Sequence, residues 1–245
     1  MTGDIGTIVW REWREFREQL LSLKRGGLSA LVLALILGVV TPAQMGPEWL
    51  SSSLMLAYWP FVAASMVSSL IADSIAGERE RHTLETLLAT RLSDRDILTG
   101  KVAAAVLYGL GFALANVCLG WISVNLFHHE QGPHWFSASY LLSIVVLTLL
   151  TSFFVAGVGV FISLRAATVK QAQQTFGIAM VIVLMAPVLV IQAMPHDLRR
   201  RAAFRFAEIG QTRLLLGVAL VLLVLGVMIN ALALARFRRG RLVLD

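Results

Sequence analysis

Residues 72–101 read A-D-S-I-A-G-E-R-E-R-H-T-L-E-T-L-L-A-T-R-L-S-D-R-D-I-L-T-G-K, the longest charged interruption in a chain otherwise built from apolar runs. Within it Leu84, Leu87 and Leu88, with the aliphatic stem of Arg91, share one helical face, and Glu78, Arg79, Glu80, Arg81 and Glu85 surround that face. Ser93, three residues before Asp96, has the spacing of an N-terminal cap, which predicts a second helix running through Ile97 and Leu98 into the next apolar run. The stretch therefore reads as helix, turn, helix. A solvated hairpin has no need of Leu84, Leu87, Leu88 and Leu92; they require a cover from this chain, from lipid, or from the groove of a partner.

Outward from that stretch, composition names the solvent. Of 245 residues, 57% are hydrophobic and 15% are charged, where a soluble domain carries about a quarter charged residues. The net charge of +6 would raise the question of nucleic acid in a soluble protein. Here the Lys and Arg residues flank apolar runs, where anionic headgroups and the positive-inside bias account for them, and no base-reading module is present. The single cysteine, Cys118, lies inside an apolar run and is read as a small core hydrophobe, so no disulfide framework is available within one chain. The first 25 residues are charged and lack an apolar core, so no cleavable signal is read there and the first spanning helix is expected to act as its own insertion signal.

Residues 4–25 are amphipathic: Ile5, Ile8, Val9, Trp13, Phe16, Leu20 and Leu23 recur at helical spacing, and Arg11, Glu12, Arg14, Glu15, Arg17 and Glu18 take the other face. Such a helix, with tryptophan on one side and mixed charge on the other, is expected in the membrane interface, with Arg11–Glu15 and Arg14–Glu18 paired at i,i+4. After Gly26 and Gly27, apolar runs at about 28–44, 52–73, 102–127, 138–164, 174–194 and 212–235 each approach the roughly 20 residues that a bilayer demands. Pro42 is expected to close the first, Pro60 and Pro187 to fall inside the second and fifth, and Ala156, Gly157 and Gly159 to permit close helix contact in the fourth. The N-terminal segment, residues 72–101, the 165–170 connection and the tail all carry Lys or Arg, whereas 45–51 and 128–137 carry none, so both termini are read as cytoplasmic. Residues 195–211 break the rule with Arg199, Arg200, Arg201 and Arg205. Their spacing suits a short amphipathic helix on the outer headgroups, begun near Pro195, ended at Gly210, and open to an anionic headgroup through those arginines.

Several chemistries are excluded or demoted. No ionisable residue falls in the middle of a span, which disfavours a proton-coupled carrier. His128, His129 and His134 cluster in one connection with Glu130 as the nearby carboxylate, a set read as an interfacial turn before a metal site. No Gly-x-Ser-x-Gly elbow, His-Glu-x-x-His helix or phosphate-cradling loop is present, and Gly100-Lys101 lacks both the upstream glycine and the following Ser or Thr of such a loop.

The run G-E-R-E-R-H-T-L-E-T-L-L-A-T followed by L-S-D-R-D-I-L-T-G-K, Gly77 to Lys101, resembles the signature between the second and third spans of ABC-2 type transporter permeases. His82 and Arg91 depart from that pattern, standing where a small residue and a proline are common. The layout is similar over nearly the whole chain. The resemblance implies an all-α integral membrane protein of six transmembrane helices, with an N-terminal interfacial amphipathic helix (1–27), a six-span domain (28–245) and a cytoplasmic coupling helix within 75–101. It implies a permease subunit of an ATP-driven exporter in the plasma membrane, paired with itself or a similar permease and joined to two separate ATPase subunits that bind ATP and Mg, with no cofactor in this chain. Glu78, Arg79, Thr83, Leu84, Glu85, Leu87 and Leu88 would then couple the ATPase to the spans, the N-terminal helix adding a second contact. A membrane scaffold docking a non-ATPase partner, and a secondary carrier, are the competing readings.

Overall fold

A backbone placed in hydrocarbon must satisfy its own N–H and C=O groups, and apolar runs of about 20 residues do so as helices. The computed structural model describes residues 2–21, 27–81, 93–201 and 210–236, and every regular element among them is helical. Helix α1 spans Thr2–Leu21; α2 (Gly27–Leu35) continues through a π-helical turn at Ile36–Val40, α3 (Thr41–Met45) and a 3-10 turn at Gly46–Leu50. Helix α4 (Ser53–Ala72) likewise passes through a π-helical turn, Asp73–Gly77, into α5 (Glu78–Glu80). Then come α6 (Asp94–Phe127), α7 (Ala138–Ser163), α8 (Val169–Ala193) and α9 (Gln211–Arg236).

Five stretches among the described residues are long and apolar enough to cross a membrane: Leu31–Leu50, Ser53–Glu80, Asp94–Phe127, Ala138–Ser163 and Gln211–Arg236. The protein is an all-α, multi-pass membrane protein. The fifth apolar run of the sequence forms α8, which exposes Ile178, Val181, Ile182 and Val183.

Three expectations are corrected, and the start of the third helix is as expected. Pro42 does not end the first run: the preceding π turn lets the Thr41 N–H and its Oγ1 (2.8 Å) both bond the Ile36 carbonyl, and Pro42 falls in the first turn of α3, where a missing N–H costs no ladder bond. The second run does not stop near residue 73, because residues 73–80 prolong its helix. The third run is entered from Asp94 by one 34-residue helix, capped as expected by Ser93 Oγ, which accepts from the Asp96 N–H at 3.1 Å. Cys118 is exposed on α6, so it faces the surroundings of the bundle instead of its core.

Small residues set how closely the helices pack. A Cβ on Gly157 of α7 would stand 2.5 Å from Ile229 Cγ2 of α9, and one on Gly159 would stand 3.0 Å from Ile71 Cγ2 of α4, so α7 is held between the two as its composition foretold. Asn230 of α9 seals the first contact by donating to the Phe153 carbonyl of α7 at 2.9 Å and to its own Gly226 carbonyl at 2.9 Å. Ile71, Ile75, Ile97, Leu98, Val155 and Val160 form the core at the end of the bundle that carries α5. At the other end Trp49 is 1% exposed, edge-on to Trp59 at 5.9 Å and tilted against Phe136 at 5.9 Å.

The 128–137 connection is pinned by hydrogen bonds from α6. Asn125 Oδ1 accepts from the His134 N–H at 2.8 Å, and the His134 carbonyl accepts from Asn125 Nδ2 at 3.1 Å and Trp121 Nε1 at 2.9 Å. Among the described residues no three His, Cys, Asp or Glu side chains converge to hold a metal.

The α7–α9 contact yields a direct test. Gly157→Leu forces its side chain into Ile229 and is expected to destabilise the protein by about 1–3 kcal/mol, the usual range for overpacking, read as a lowered thermal midpoint in detergent. Gly177→Ala, with nothing within 4 Å of the added Cβ, is expected to leave that midpoint unchanged or raise it slightly.

Candidate functional site

At the root of residues 82–92 the chain buries an ammonium. Lys101, on the eighth residue of α6, is 2% exposed, and its Nζ lies 3.0 Å from Glu12 Oε1, 2.9 Å from Glu78 Oε1, 2.8 Å from the Ser74 carbonyl and 2.8 Å from Ser74 Oγ. Its partners come from three separate elements: Glu12 from α1, Ser74 from the π turn and Glu78 from α5. Both carboxylates are buried too, Glu12 at 3% exposure and Glu78 at 6%.

Each element is shaped to reach this point. A Cβ on Gly100 would stand 2.7 Å from Ile8 Cγ2, so glycine beside Lys101 is what lets α1 lie directly on α6. Ile8 and Glu12, one turn apart, form the docked face of α1, while Trp10 and Trp13 stay exposed and Trp13 meets Tyr108 edge-on at 6.4 Å. In the π turn the Glu78 N–H bonds the Ile75 carbonyl, while the Ser74 carbonyl accepts from Lys101.

Arg11 closes the cluster at the rim. Its Nη2 is 3.2 Å from Glu78 Oε1 and its Nε 3.1 Å from Glu15 Oε1. Burial works against its charge, but the hydrogen bond to Glu15 and the fields of Glu15, Glu78 and Glu12 outweigh that effect and hold the guanidinium above its ordinary pKa. Lys101 and Arg11 thus balance Glu12 and Glu78, which is the condition under which ions tolerate burial.

The next residues in the chain extend the clamp to two further helices. Arg79 donates from Nη1 to the Leu164 carbonyl at 3.2 Å and the Ala166 carbonyl at 3.3 Å, and from Nη2 to Leu164 at 3.1 Å, placing a cation on the carbonyls immediately after the C-terminus of α7. Glu80 Oε2 accepts from the Val169 N–H at 3.1 Å, placing an anion on the N-terminus of α8. Arg81 returns to Asp73 Oδ1 at 2.6 Å. Three consecutive side chains therefore tie α5 to α1 and α6, to α7, and to α8.

The sequence-derived site residues fall into separate groups. Glu78 and Arg79 turn inward and hold the root of the segment. Thr83, Leu84, Glu85, Leu87 and Leu88 lie outside the described residues. Arg199 is committed to the end of α8, donating from Nε to the Ile191 carbonyl at 3.1 Å and from Nη2 to the Gln192 carbonyl at 2.9 Å, while Arg200 and Arg201 are exposed and Arg205 is outside the described residues. A helix begins directly after Pro195, and Gly210 adopts a φ of 75°. The pairs Arg11–Glu15 and Arg14–Glu18 form as their spacing requires, the latter at 3.4 Å. Glu12, read from the sequence as part of the charged outer face, is instead at the buried centre, together with Lys101 and Ser74, which the sequence pattern does not single out as site residues. The available signals were the adjacency of Gly100 to Lys101 and the i,i+4 spacing of Ile8 and Glu12.

Comparison with known proteins places this geometry in context. A family model described as ABC-2 family transporter protein matches residues 39–227. The chain is also 27% identical, over 125 residues, to the ABC transporter permease protein NatB of Bacillus subtilis (strain 168). That alignment takes in 49% of this chain and 31% of NatB, so it spans about a third of the relative's length.

Replacing Lys101 by Met leaves Glu12 and Glu78 buried without their cation, a loss of about 3–5 kcal/mol for a broken buried pair. The expected outcome is a large fall in thermal midpoint together with protease cleavage within α1. Adding Glu12→Gln and Glu78→Gln to the Lys101→Met variant is expected to restore part of that loss, as a double-mutant cycle would report.

Proposed function

Because the chain belongs to the ABC-2 family of transporter proteins, we propose that it is the membrane-spanning subunit of an ATP-driven exporter whose ATP is hydrolysed by a separate subunit. Membership makes it a transport membrane subunit. The arrangement that supports the finer reading is the clamp around Lys101, which fixes both roots of residues 82–92 at one end of the bundle.

A segment anchored in this way is suited to carry force. On one side of it Glu78, Arg79 and Glu80 are tied to α6 and α1, to α7, and to α8. On the other, Ser93 caps α6 without a break into the third apolar run. Displacement of residues 82–92 by a partner would reach four helices through hydrogen-bonded ion contacts rather than through a slack loop. In this reading Thr83, Leu84, Glu85, Leu87 and Leu88 meet the ATPase, and Glu78 and Arg79 transmit the movement.

The same reading counts α8 as a sixth span, puts both termini and residues 82–92 in the cytoplasm under the positive-inside bias, and pairs the chain with itself or a similar permease in the plasma membrane. It assigns ATP and Mg to the partner ATPases.

The deciding experiment is copurification from native membrane. A soluble ATPase is expected to accompany the wild-type chain, and Leu84→Asp combined with Leu88→Asp is expected to abolish that association while membrane insertion stays intact. Undiminished association in the double variant would remove these leucines from the interface, and absence of any ATPase from the wild-type complex would remove the coupling role itself.

A further inference from the structure

Helix α7 ends at Ser163 and α8 begins at Val169, and beside the turn between them lies a recess of about 230 Å³ lined by Phe161, Ile162, Arg165, Ala166, Gln171 and Thr175. Phe161, Ile162 and Ala166 give it an apolar wall, and the other three residues end in hydrogen-bonding groups. The turn itself is held by the clamp, since Arg79 donates to the Leu164 and Ala166 carbonyls on either side of Arg165. The first N–H groups of α8 are also taken: Glu80 accepts from Val169, and Thr168 Oγ1 accepts from Gln171 at 3.2 Å. The groups left to meet a ligand are therefore side chains.

Those side chains offer donors. Arg165 is exposed and makes no ion pair or hydrogen bond through its guanidinium among the described residues. Gln171 Oε1 accepts from the Ala167 N–H at 2.9 Å, which fixes the amide and leaves the hydrogens of its Nε2 uncommitted. Thr175, one turn further on the same face of α8, has a hydroxyl with no partner among the described residues. The surrounding charge has one sign. Helix α7, the turn, α8 and α9 contain no Asp or Glu, and at this end they carry Arg165, Lys170 and Arg236. The Arg236 guanidinium stands 5.2 Å from the centroid of the Phe161 ring, the apolar wall of the recess. Glu80, which reaches this turn from α5, is committed to the Val169 N–H. A guanidinium, an amide and a hydroxyl with donors to spare, set in a cationic surround, select an anion with several acceptor oxygens.

We propose that this recess binds a phosphate group, held by the Arg165 guanidinium, Gln171 Nε2 and the Thr175 hydroxyl, with the carbons of its ester against Phe161 and Ile162. The headgroup of an anionic phospholipid and a soluble phosphate ester share this chemistry. Bound here, the phosphate would join the α7–α8 turn to the second turn of α8, the same junction that Arg79 and Glu80 hold from α5. Occupancy of the recess would thus stabilise the helix arrangement on which the clamp depends.

The test uses the purified full chain in detergent, titrated with phosphatidylglycerol or with diacylglycerol of equal chain length and followed by native mass spectrometry and thermal midpoint. Phosphatidylglycerol is expected to bind about tenfold more tightly or better and to raise the midpoint. Arg165→Gln is expected to weaken its binding about tenfold and Thr175→Val about threefold, neither shifting the lipid-free midpoint. Lys170→Gln removes an exposed charge beside Gln171 but outside the recess, and is expected to cost less than about twofold. Displacement of phosphatidylglycerol by glycerol 3-phosphate would identify a soluble ester as sufficient, and its failure to displace would identify the lipid headgroup; either result supports a phosphate site. Equal affinity for phosphatidylglycerol and diacylglycerol would overturn the proposal. So would a loss from Lys170→Gln as large as that from Arg165→Gln, which would reduce the effect to diffuse surface charge. No ATPase enters this assay, so its failure would be separate from failure of the transport reading.

Discussion

The burial of one ammonium group constrains everything at the functional end of this protein. Moving a lysine out of water costs several kcal/mol unless charge and hydrogen bonds are returned to it. Lys101 has three N–H donors, and all the acceptors within reach come from outside its own helix: Glu12, Glu78, and both oxygens of Ser74. No single helix could supply that set. The position of α1 along α6, the widened turn at the end of α4, and the inward direction of α5 are therefore conditions of one another. Arg11 adds the second cation that two carboxylates require.

Two π-helical turns make these conditions compatible with straight apolar spans. The one at Ile36–Val40 absorbs Pro42, and the one at Asp73–Gly77 lets the helix of the second run carry on into the charged residues with its polar groups aimed at Lys101. Such insertions concentrate at functional positions because they re-aim side chains without ending the helix. Here the second turn carries an apolar membrane helix on into the charged residues that lead to residue 82.

Much of the fold is legible in the sequence because lipid leaves few alternatives. Apolar runs of spanning length become helices, Gly157 and Gly159 mark close packing, and Ser93 with Asp96 announces the start of α6. The helix boundaries are less legible where hydrogen-bond register changes: Pro42 signals a stop under ordinary α-helical bonding, and the π turn that cancels it has no residue signature of its own. The candidate site is legible in location but not in detail. Residues 78–80 read only as the polar surround of a leucine face because their partners, Glu12, Lys101, Leu164 and Val169, are distant in sequence, and an amphipathic pattern cannot distinguish a carboxylate facing water from one facing a lysine. Glu12 is such a carboxylate. Gly100-Lys101 likewise gains its meaning only once α1 is seen to cross there.

The clamp also carries information about the order in which the protein can be assembled during synthesis. Glu12, Ser74, Glu78, Arg11 and Lys101 all lie within the first 101 residues, so the ion cluster is complete in composition before α7, α8 or α9 has left the ribosome. Chains fold largely from the N-terminus as they emerge. The buried charges can thus neutralise one another in the first inserted half, and the later helices meet a surface whose ions are already paired. The contacts from Arg79 to residues 164 and 166 and from Glu80 to residue 169 then receive α7 and α8 as each arrives. The Asn230 bond to Phe153 comes last and locks α9 onto the finished bundle.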